Sequence, residues 1–319
     1  MILRALTHLA SPAGRGAKLS TFIFHRVPAQ PDPLLPDEPH AQRFEQMLSW
    51  ITGQFQVLAP LEACERLSTG SLPARAAIIT FDDGYRDNAE VALPILQRHG
   101  VSAAFFIATG FLDGGIMFND RVIEAIRAVP VERVRINLAG IDELDLSSPA
   151  ARRAAINALL RAIKHLMPGD RDDAVEAIEA RLGVSATESP MMSRAQVRQL
   201  HAAGMAIGGH TRWHPILSVL APDDAREAIQ DGRDDLTELL GHPPPLFAYP
   251  NGRQGRDWGS EHAQMVKDAG FRFAFTTDSG AARYGDSPYV LPRFTPWARG
   301  RMGFGGQAWR NLLQGARGG

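Results

Sequence analysis

Two adjacent carboxylates stand directly after a run of apolar residues. The segment AAIITF (76–81) has the length of a strand, and Asp82, Asp83 and a glycine follow it. Adjacent carboxylates beside a buried strand repel each other and lose hydration, which costs several kcal/mol unless a cation or hydrogen bonds compensate. The pair alone is also typical of a polar turn in which one aspartate caps the next helix.

Two histidines four residues apart follow a second strand-like segment. His210 and His214 lie in GGHTRWHP (208–215). The spacing predicts that both imidazoles lie on one side of a helical turn, in a position to bind one metal ion. Histidines held by hydrogen bonds for structural reasons are the alternative.

Together the two segments predict a metal site that can do catalysis. One carboxylate and two imidazoles supply three ligands and leave positions open for water and substrate, as in catalytic zinc or iron(II) sites. The second carboxylate is then free to act as a base, and a divalent ion removes the repulsion within the Asp82–Asp83 pair. Such an ion lowers the pKa of bound water from about 16 to about 7 and polarises a carbonyl oxygen, which is the chemistry of amide or ester hydrolysis.

Composition narrows the classes of protein. The chain has 319 residues, 45% of them hydrophobic and 22% charged, which excludes disordered and fibrous proteins. The formal net charge of -1 gives no reason to expect nucleic-acid binding. The single cysteine, Cys64, cannot form an intrachain disulfide, so a metal must be bound by histidine and carboxylate. The start of the sequence lacks the apolar runs of a secretory signal or a membrane helix, so we expect a cytoplasmic protein without a transmembrane segment.

The order of apolar segments predicts an α/β fold. Short strand-like runs alternate with helical ones from residue 19 onward, and repeated βα units imply parallel strands with right-handed crossovers. Active sites of such folds lie at the carboxyl ends of the strands, where the aspartate and histidine segments are found. The alternation stops between residues 115 and 190, which predicts a mostly helical insertion with a small hairpin. The glycine-rich residues 300–319 are expected to form a flexible tail.

Three segments then carry a family resemblance: TFDDGY (80–85), HTRWHP (210–215) and FAYPNGR (247–253). In this order they resemble three motifs of the polysaccharide deacetylases, the NodB-homology group or carbohydrate esterase family 4. The resemblance extends over residues 21–296, apart from the insertion. It implies a distorted (β/α) barrel of about seven parallel strands over residues 19–299.

The resemblance also implies an activity, the metal-dependent removal of N-acetyl groups from amino sugars. Asp83, His210 and His214 would be the metal ligands, with zinc expected and iron, cobalt, nickel or manganese as alternatives. Metal-bound water would attack the acetyl carbonyl while Asp82, the general base, accepts its proton. The metal and a backbone N–H near Tyr85 would hold the resulting oxyanion.

The third motif departs from the usual pattern. Many members have an arginine where this chain has Ala248, and Asn251 follows the proline in place of tyrosine. The form FAYPxG resembles the branch of exopolysaccharide deacetylases of the poly-N-acetylglucosamine type. Arg293 is the best local substitute to orient Asp82, and by the resemblance His25 would be the general acid for the leaving amine. A surface arginine and a core histidine are the alternatives.

The candidate substrate contacts are the residues near these motifs that could meet a sugar: Tyr85, Trp213, Tyr249, Pro250 and Asn251. Aromatic rings can stack on a sugar face, although packing in the core is the alternative for each ring. The expected partner is an N-acetylated amino sugar in a glycan or in a glycan precursor, and not a nucleic acid. The sequence predicts no oligomeric state.

Two other functions stay open at this point. The same scaffold could act as an amidohydrolase or deformylase on a nucleotide sugar, a lipid-linked sugar or a cyclic imide, and a cytoplasmic location would favour a precursor over an extracellular polymer. A non-catalytic relative with a vestigial metal site is the other possibility, against which the intact set of Asp82, Asp83, His210 and His214 argues.

Overall fold

A computed structural model describes residues 2–138, 140–185, 188–296, 298 and 300–314 of the chain. The strands are β1 (Lys18–Phe24), β2 (Gln56–Val57), β3 (Ala76–Phe81), β4 (Ala104–Ile107), β5 (Arg133–Leu138), β6 (Ile141–Asp145), β7 (Ala206–Gly209), β8 (Leu246–Ala248), β9 (Phe273–Phe275) and β10 (Ala282–Arg283). The helices are α1 (Ile2–Ala10), α2 (Ala41–Gln54), α3 (Pro60–Thr69), α4 (Leu93–Arg98), α5 (Phe118–Ala128), α6 (Pro149–Ile163), α7 (Pro168–Leu182), α8 (Arg194–Ala202), α9 (Pro222–Leu240), α10 (Ser260–Asp268) and α11 (Arg301–Leu313). None of these described helices is both long and apolar enough to cross a membrane.

An 8-stranded sheet forms the centre of the fold, in the order β10-β1-β3-β4-β7-β8-β9 with β2 paired to β3. Among the described strand pairs of this sheet, all are parallel except the pair between β1 and β10. Helices connect most of the successive parallel strands, as the alternation of segments in the sequence predicts.

The segment 291–294 closes the sheet into a barrel by bridging its two outer parallel strands. On one side, the Leu291 N–H donates to the Ala274 carbonyl of β9 over 2.9 Å. On the other, the Phe294 N–H donates to the Thr21 carbonyl of β1 over 2.7 Å. The predicted distorted (β/α) barrel is therefore confirmed, and its closing segment is the one that contains Arg293.

Strand β3 shows why its sequence is apolar without alternation. All of its residues are buried. Ile79 packs with Phe105 in the cluster between sheet and helices, whereas Ile78 packs with Phe106 and Phe275 in a second cluster on the other face. Because successive side chains point to opposite faces, a strand covered on both faces is apolar on both. Thr80 is the polar exception, and its hydroxyl donates to the Phe22 carbonyl over 3.1 Å.

The predicted insertion has a core of its own, built by α5, the β5–β6 hairpin, α6 and α7. Its buried members include Ile126, Ile136, Leu144, Leu159 and Ile178. A two-pronged ion pair joins α5 to α7, with the Arg121 guanidinium 2.5 and 3.1 Å from the Glu179 carboxylate oxygens. The insertion is thus a packed unit beside the barrel, and its α5 begins at the turn after β3, where Asn119 and Asp120 hydrogen-bond with the Tyr85 hydroxyl.

The expectation of a flexible tail is wrong for residues 301–313, which form α11. Phe304 and Leu312 of this helix are buried in the main core. The glycines that suggested mobility allow close packing instead, because a Cβ added at Gly305 would lie 2.4 Å from Leu3 Cδ1 of α1. Residues 315–319 of the predicted tail lie outside the described part of the chain.

Helix α9 sets the position of the loop that follows β7. A Cβ added at Gly232 would lie 2.5 Å from the Thr211 carbonyl carbon and 2.9 Å from the Arg212 nitrogen. These contacts are with backbone, which cannot move aside as the end of a side chain can. The loop with both histidines therefore rests directly on the helix.

Replacing Gly232 with alanine is expected to destabilise the protein by about 1–3 kcal/mol, the cost of overpacking a close contact. The measurement is urea-induced unfolding. Gly53 of α2 is the matched control, because a Cβ added there meets nothing within 4 Å. G53A should be neutral or stabilising by up to about 1 kcal/mol, and a G232A protein as stable as wild type would contradict the close packing.

Candidate metal centre and active site

The candidate residues lie where parallel strands end on one side of the barrel. Asp82 and Asp83 follow β3, His210 follows β7, and His25 follows β1 directly. Asn251 lies in the loop after β8. Carboxyl ends of parallel strands meet at one edge, so residues far apart in sequence share a single site.

Asp83, His210 and His214 form a group with the geometry of a metal site. Asp83 Oδ1 lies 3.3 Å from His210 Nε2 and 3.4 Å from His214 Nε2. One ligand atom from each residue can be chosen so that all lie within 4.8 Å of one another. This distance suits three donors around one cation.

The two histidines reach this position from a loop, so the prediction of a helical turn is wrong. Residues 210–216 contain no helix, and Thr211 and His214 have φ of 64° and 49°. The Thr211 hydroxyl accepts a hydrogen bond from the His214 N–H over 3.1 Å and so fixes the turn. Left-handed backbone is rarely adopted by residues other than glycine, and its occurrence twice within a ligand loop indicates a conformation held for function.

The polar atoms of this group fit a bound divalent cation. Asp83 Oδ1 is buried and has no hydrogen-bond partner among the described residues, although it faces two imidazole nitrogens. The Ala248 carbonyl can only accept, so His210 Nδ1, 2.7 Å away, donates to it and leaves the Nε2 lone pair for a metal. Such a second hydrogen bond is typical of metal-ligating histidines.

The protonation states also suit metal ligands. Burial lowers the pKa of His214 to about 3, and the Asp83 carboxylate offsets only part of this effect. Burial would raise the pKa of Asp83, but the neighbouring imidazoles of His210, His214 and His25 bring that pKa well below its usual range. The set therefore offers a carboxylate and a neutral imidazole at neutral pH, as metal binding requires.

Asp82 has a different partner from Asp83. The Arg293 guanidinium donates from Nη1 and Nη2 to the two Asp82 oxygens, each over 2.6 Å. Its Nε donates to the Thr276 carbonyl over 2.9 Å, and this hydrogen bond fixes the orientation of the guanidinium group. Arg293 is only 1% exposed, so the alternative of a surface arginine is wrong.

The ion pair keeps Asp82 charged although it is buried. Burial would raise the pKa of Asp82, but the Arg293 charge and hydrogen bonds, together with the nearby His210, bring this pKa below its usual value. Asp82 Oδ2 lies 4.0 Å from His210 Nε2. A charged carboxylate thus stands beside the candidate metal position without being one of its ligands.

His25 lies beside both carboxylates. It is half-buried, and burial lowers its pKa, but the charges of Asp83, Asp82 and Glu38 outweigh burial and raise the pKa above its usual value. These charges therefore favour the imidazolium form more than in a free histidine. A cavity of about 250 Å³ brings this group together, lined in part by His25, Asp82, Asp83, His210, His214 and Asn251.

The other candidate substrate contacts do not line this cavity. Tyr249 is fully buried, stacks on the Trp258 ring with centroids 3.9 Å apart and donates its hydroxyl hydrogen to the Tyr289 carbonyl. The substrate contact predicted for Tyr249 is therefore wrong, because its side chain packs beneath α10. Pro250 is buried as well, outside the residues that line the cavity.

Trp213 lies outside this cavity as well. It is 56% exposed, packs edge-on against Phe111 and lines a second cavity of about 700 Å³ between α7 and α9. Its indole is therefore available to a ligand only at that neighbouring surface.

Tyr85 has a buried side chain, so only its backbone could act in the site. Its hydroxyl donates to Asp120 over 3.2 Å and accepts from Asn119 over 3.2 Å. Burial raises the pKa of Asp120 to about 7, against the lowering effect of Arg26. No described carbonyl accepts a hydrogen bond from the Tyr85 N–H.

Sequence reasoning missed the part of the cavity that comes from the insertion. The lining also includes Met117, Phe118, Asn119, Leu160, Lys164 and Thr277. Five of these six come from α5, α6 or the residues beside them. No motif marks them, because their role depends on how the insertion packs against the barrel.

The fold and the site define a polysaccharide deacetylase. The profile of the family described as polysaccharide deacetylase matches residues 69–143 and 169–274, more than half of the chain. The chain therefore belongs to the polysaccharide deacetylase family and is a carbohydrate deacetylase, as the resemblance in the sequence predicts. A similar protein, YxkH of Bacillus subtilis (strain 168), is named for the same family and is 20% identical over 279 residues, covering 87% of this chain and 71% of YxkH.

Solved structures show the same fold. IcaB from Ammonifex degensii has a TM-score of 0.60 with 20% identity, covering 94% of this chain and 98% of IcaB. The Streptococcus pyogenes deacetylase PplD in complex with acetate has a TM-score of 0.58 with 18% identity, covering 95% and 99%. A de-N-acetylase from Aggregatibacter actinomycetemcomitans has a TM-score of 0.57 with 16% identity, covering 89% and 97%.

Removing the partner of Asp82 is expected to be costly. R293M should lower the free energy of unfolding at neutral pH by about 3–5 kcal/mol, because it leaves a buried carboxylate unpaired. The pKa of Asp82 is lowered in the folded state, so the stabilisation is present above about pH 4 and is lost as the pH falls through the folded value. Urea unfolding at neutral pH and at a pH well below about 4 measures this, and the difference from wild type should shrink at the lower pH.

The exposed pair between Arg66 and Glu62 provides the control. R66M should change the free energy of unfolding by less than about 1 kcal/mol, since solvent screens that pair. Equal losses in R293M and R66M would show that the Asp82–Arg293 pair contributes no more than a surface pair does.

The ligand assignment is tested by metal content. Protein purified without chelator should contain about one divalent ion per chain, and H214A should contain none above background in mass spectrometry. The thermal stabilisation that added metal gives to the wild type should also disappear, because only the folded state binds the ion. H8A, which changes an exposed histidine of α1, is the control that should keep both, and a fully loaded H214A protein would remove His214 from the ligand set.

Proposed function

We propose that this protein removes the N-acetyl group from an amino sugar of a glycan or glycan precursor, with a divalent ion held by Asp83, His210 and His214. The main support is Asp83 Oδ1, which is buried, has no hydrogen-bond partner among the described residues and faces two imidazole Nε2 atoms. The Asp82 carboxylate beside it is paired with Arg293. Zinc is the proposed ion, because imidazole and carboxylate donors in a three-ligand set are typical of catalytic zinc. When bound, the ion supplies a Lewis acid that lowers the pKa of water and polarises the acetyl carbonyl.

Asp82 is the proposed general base. Both of its oxygens accept from the Arg293 fork, so the carboxylate is held in one orientation beside the ligand set. A fixed carboxylate that stays charged at neutral pH can accept a proton from the attacking water as the tetrahedral intermediate forms. Arg293 acts through Asp82 as a positioning residue.

His25 is the proposed general acid. The carboxylates of Asp83 and Asp82 favour its protonated form. The amine that leaves from an acetamido group is a poor leaving group unless it receives a proton, and His25 lies in the same cavity as Asp82. Asp82 after β3 and His25 after β1 would then act on the same amide, Asp82 on the attacking water and His25 on the leaving nitrogen.

The backbone N–H of Tyr85 is the proposed oxyanion donor. It lies in the turn after β3, where Asp83 and Gly84 have φ of 75° and 93°. The Tyr85 side chain is held by Asp120, so its backbone is fixed before substrate binds. A donor that needs no rearrangement stabilises a developing negative charge most effectively.

The similar structures support an acetyl group as the one removed. One is described as a de-N-acetylase and another as a deacetylase in complex with acetate. We propose the same bond for this chain, with a cytoplasmic precursor such as a nucleotide sugar or lipid-linked sugar included among its substrates. The cavity of about 250 Å³ is of a size to hold one amino sugar residue.

The base is tested by D82N, which preserves the shape of the side chain. Acetate release should fall by about 10²-fold or more, whereas metal content should be unchanged, since Asp82 is not in the ligand set. Acetate is measured enzymatically over a panel of N-acetylglucosamine oligomers, a nucleotide sugar and a lipid-linked sugar. Turnover by D82N at the wild-type rate would remove Asp82 from the base role, and no acetate from any substrate would overturn the proposed function.

A further inference from the structure

A lysine from the insertion reaches the catalytic cavity. Lys164 follows α6 and lines the cavity together with His25, Asp82, Asn251 and Thr277. Lys164 is half-buried. It is also one of only three lysines among the 34 basic residues of the chain, the others being arginines. The proposed deacetylation assigns no role to Lys164, because the base, the acid and the metal ligands are other residues.

Lys164 has no counter-ion among the described residues. No carboxylate lies within 4.0 Å of its ammonium group, and no described hydrogen bond involves that group. Burial lowers its pKa, and the charges of Arg256 and Arg253 lower it further against the opposing effect of Asp257. A half-buried ammonium without a partner pays for lost hydration, which an anionic ligand would restore.

The charges around Lys164 are arranged for an anion. Arg253 and Arg256, both exposed, lie in the loop after β8 that also supplies Asn251 to the cavity. Asp257, the acid that acts on the pKa of Lys164, is buried, accepts a hydrogen bond from the Arg253 N–H over 3.1 Å and lies 3.9 Å from Arg256 Nε. Within the cavity Asp82 is paired with Arg293, and the charge of Asp83 would be offset by the ion it is proposed to bind. Lys164 is therefore left in the cavity lining to meet an incoming anion, with the charges of Arg253 and Arg256 near enough to act on it.

In an activated N-acetylated amino sugar, an anionic phosphoryl group lies next to the acetamido group that would react. In an N-acetylated 2-amino sugar the acetamido nitrogen is on C2, and C1 is the neighbouring ring carbon. An acetamido group bound at Asp82 and His25 therefore brings the C1 substituent into the same cavity. Activated sugars carry a phosphoryl group on the C1 oxygen, and a multiply charged phosphate suits a lysine flanked by two arginines.

We propose that Lys164 binds a phosphoryl group on the anomeric oxygen of the substrate, so that the protein selects N-acetylated amino sugar phosphates over neutral glycans. This inference rests on the proposed deacetylation. A sugar phosphate, a nucleotide diphosphate sugar and a lipid diphosphate sugar share the recognised chemistry. Lys164 is a specificity-determining residue in this proposal and takes no part in bond cleavage.

The activity test compares matched substrates that differ only at C1. Acetate release is measured with metal-loaded enzyme on methyl N-acetylglucosaminide, N-acetylglucosamine 1-phosphate, uridine diphosphate N-acetylglucosamine and a short-chain polyprenyl diphosphate N-acetylglucosamine. Wild type should prefer the phosphorylated sugars in kcat/KM. In K164M the ratio of phosphorylated to neutral kcat/KM should fall by about 10- to 100-fold, the effect of one lost charge-assisted hydrogen bond.

Two further variants separate charge from structure. K164R should keep most of the preference, because it preserves the positive charge. K267M, which changes an exposed lysine of α10, should match wild type on every substrate. A K164M ratio equal to that of wild type, or a wild-type enzyme that prefers the methyl glycoside, would overturn the inference. The two diphosphate substrates show whether the nucleotide or the lipid is the preferred carrier.

A binding measurement keeps the inference testable apart from turnover. Calorimetry with D82N should give a dissociation constant for N-acetylglucosamine 1-phosphate that rises about 10- to 100-fold in D82N/K164M and weakens with added salt. Acetate from neutral sugars alone would leave the proposed function standing and overturn the inference. Tight, Lys164-dependent binding of the phosphate without acetate from any substrate would support the inference and overturn the proposed reaction.

Discussion

The site depends on keeping two adjacent carboxylates charged in a buried turn. Asp82 and Asp83 are each less than a tenth exposed, and two such charges side by side are unstable without separate compensation. Asp83 adopts a left-handed backbone with φ of 75°, which allows neighbours in sequence to meet different partners. Asp82 receives the Arg293 fork, and Asp83 faces two imidazoles with an oxygen left for a cation.

This requirement links the assembly of the site to the closure of the barrel. Arg293 lies on the segment that hydrogen-bonds to both β9 and β1, so its guanidinium can reach Asp82 only when the barrel is closed. His210 depends on a neighbouring strand, because its Nδ1–H donates to the Ala248 carbonyl at the end of β8. Distant parts of the chain must therefore pack correctly before both carboxylates have their partners in place.

The sequence predicts the residues that local patterns mark, and misses those that depend on packing. The strand before Asp82 is recognisable because burial on both faces favours a run of apolar residues without alternation. The direction of Tyr249 is not recognisable, since a strand-end aromatic can face the cavity or, as here, a helix. Helix α11 was missed because glycine also permits the close contact of Gly305 with Leu3.

The groups proposed to perform the reaction and those proposed to select the substrate come from different parts of the chain. The barrel supplies every group that would act on the amide, from the ends of strands whose register is fixed by backbone hydrogen bonds. The insertion, with a core of its own, supplies the wall that includes Leu160 and Lys164. Substitutions on that wall can change charge and shape without disturbing the Asp82–Arg293 pair. Selection of a substrate can therefore change through the insertion while the barrel continues to perform one reaction.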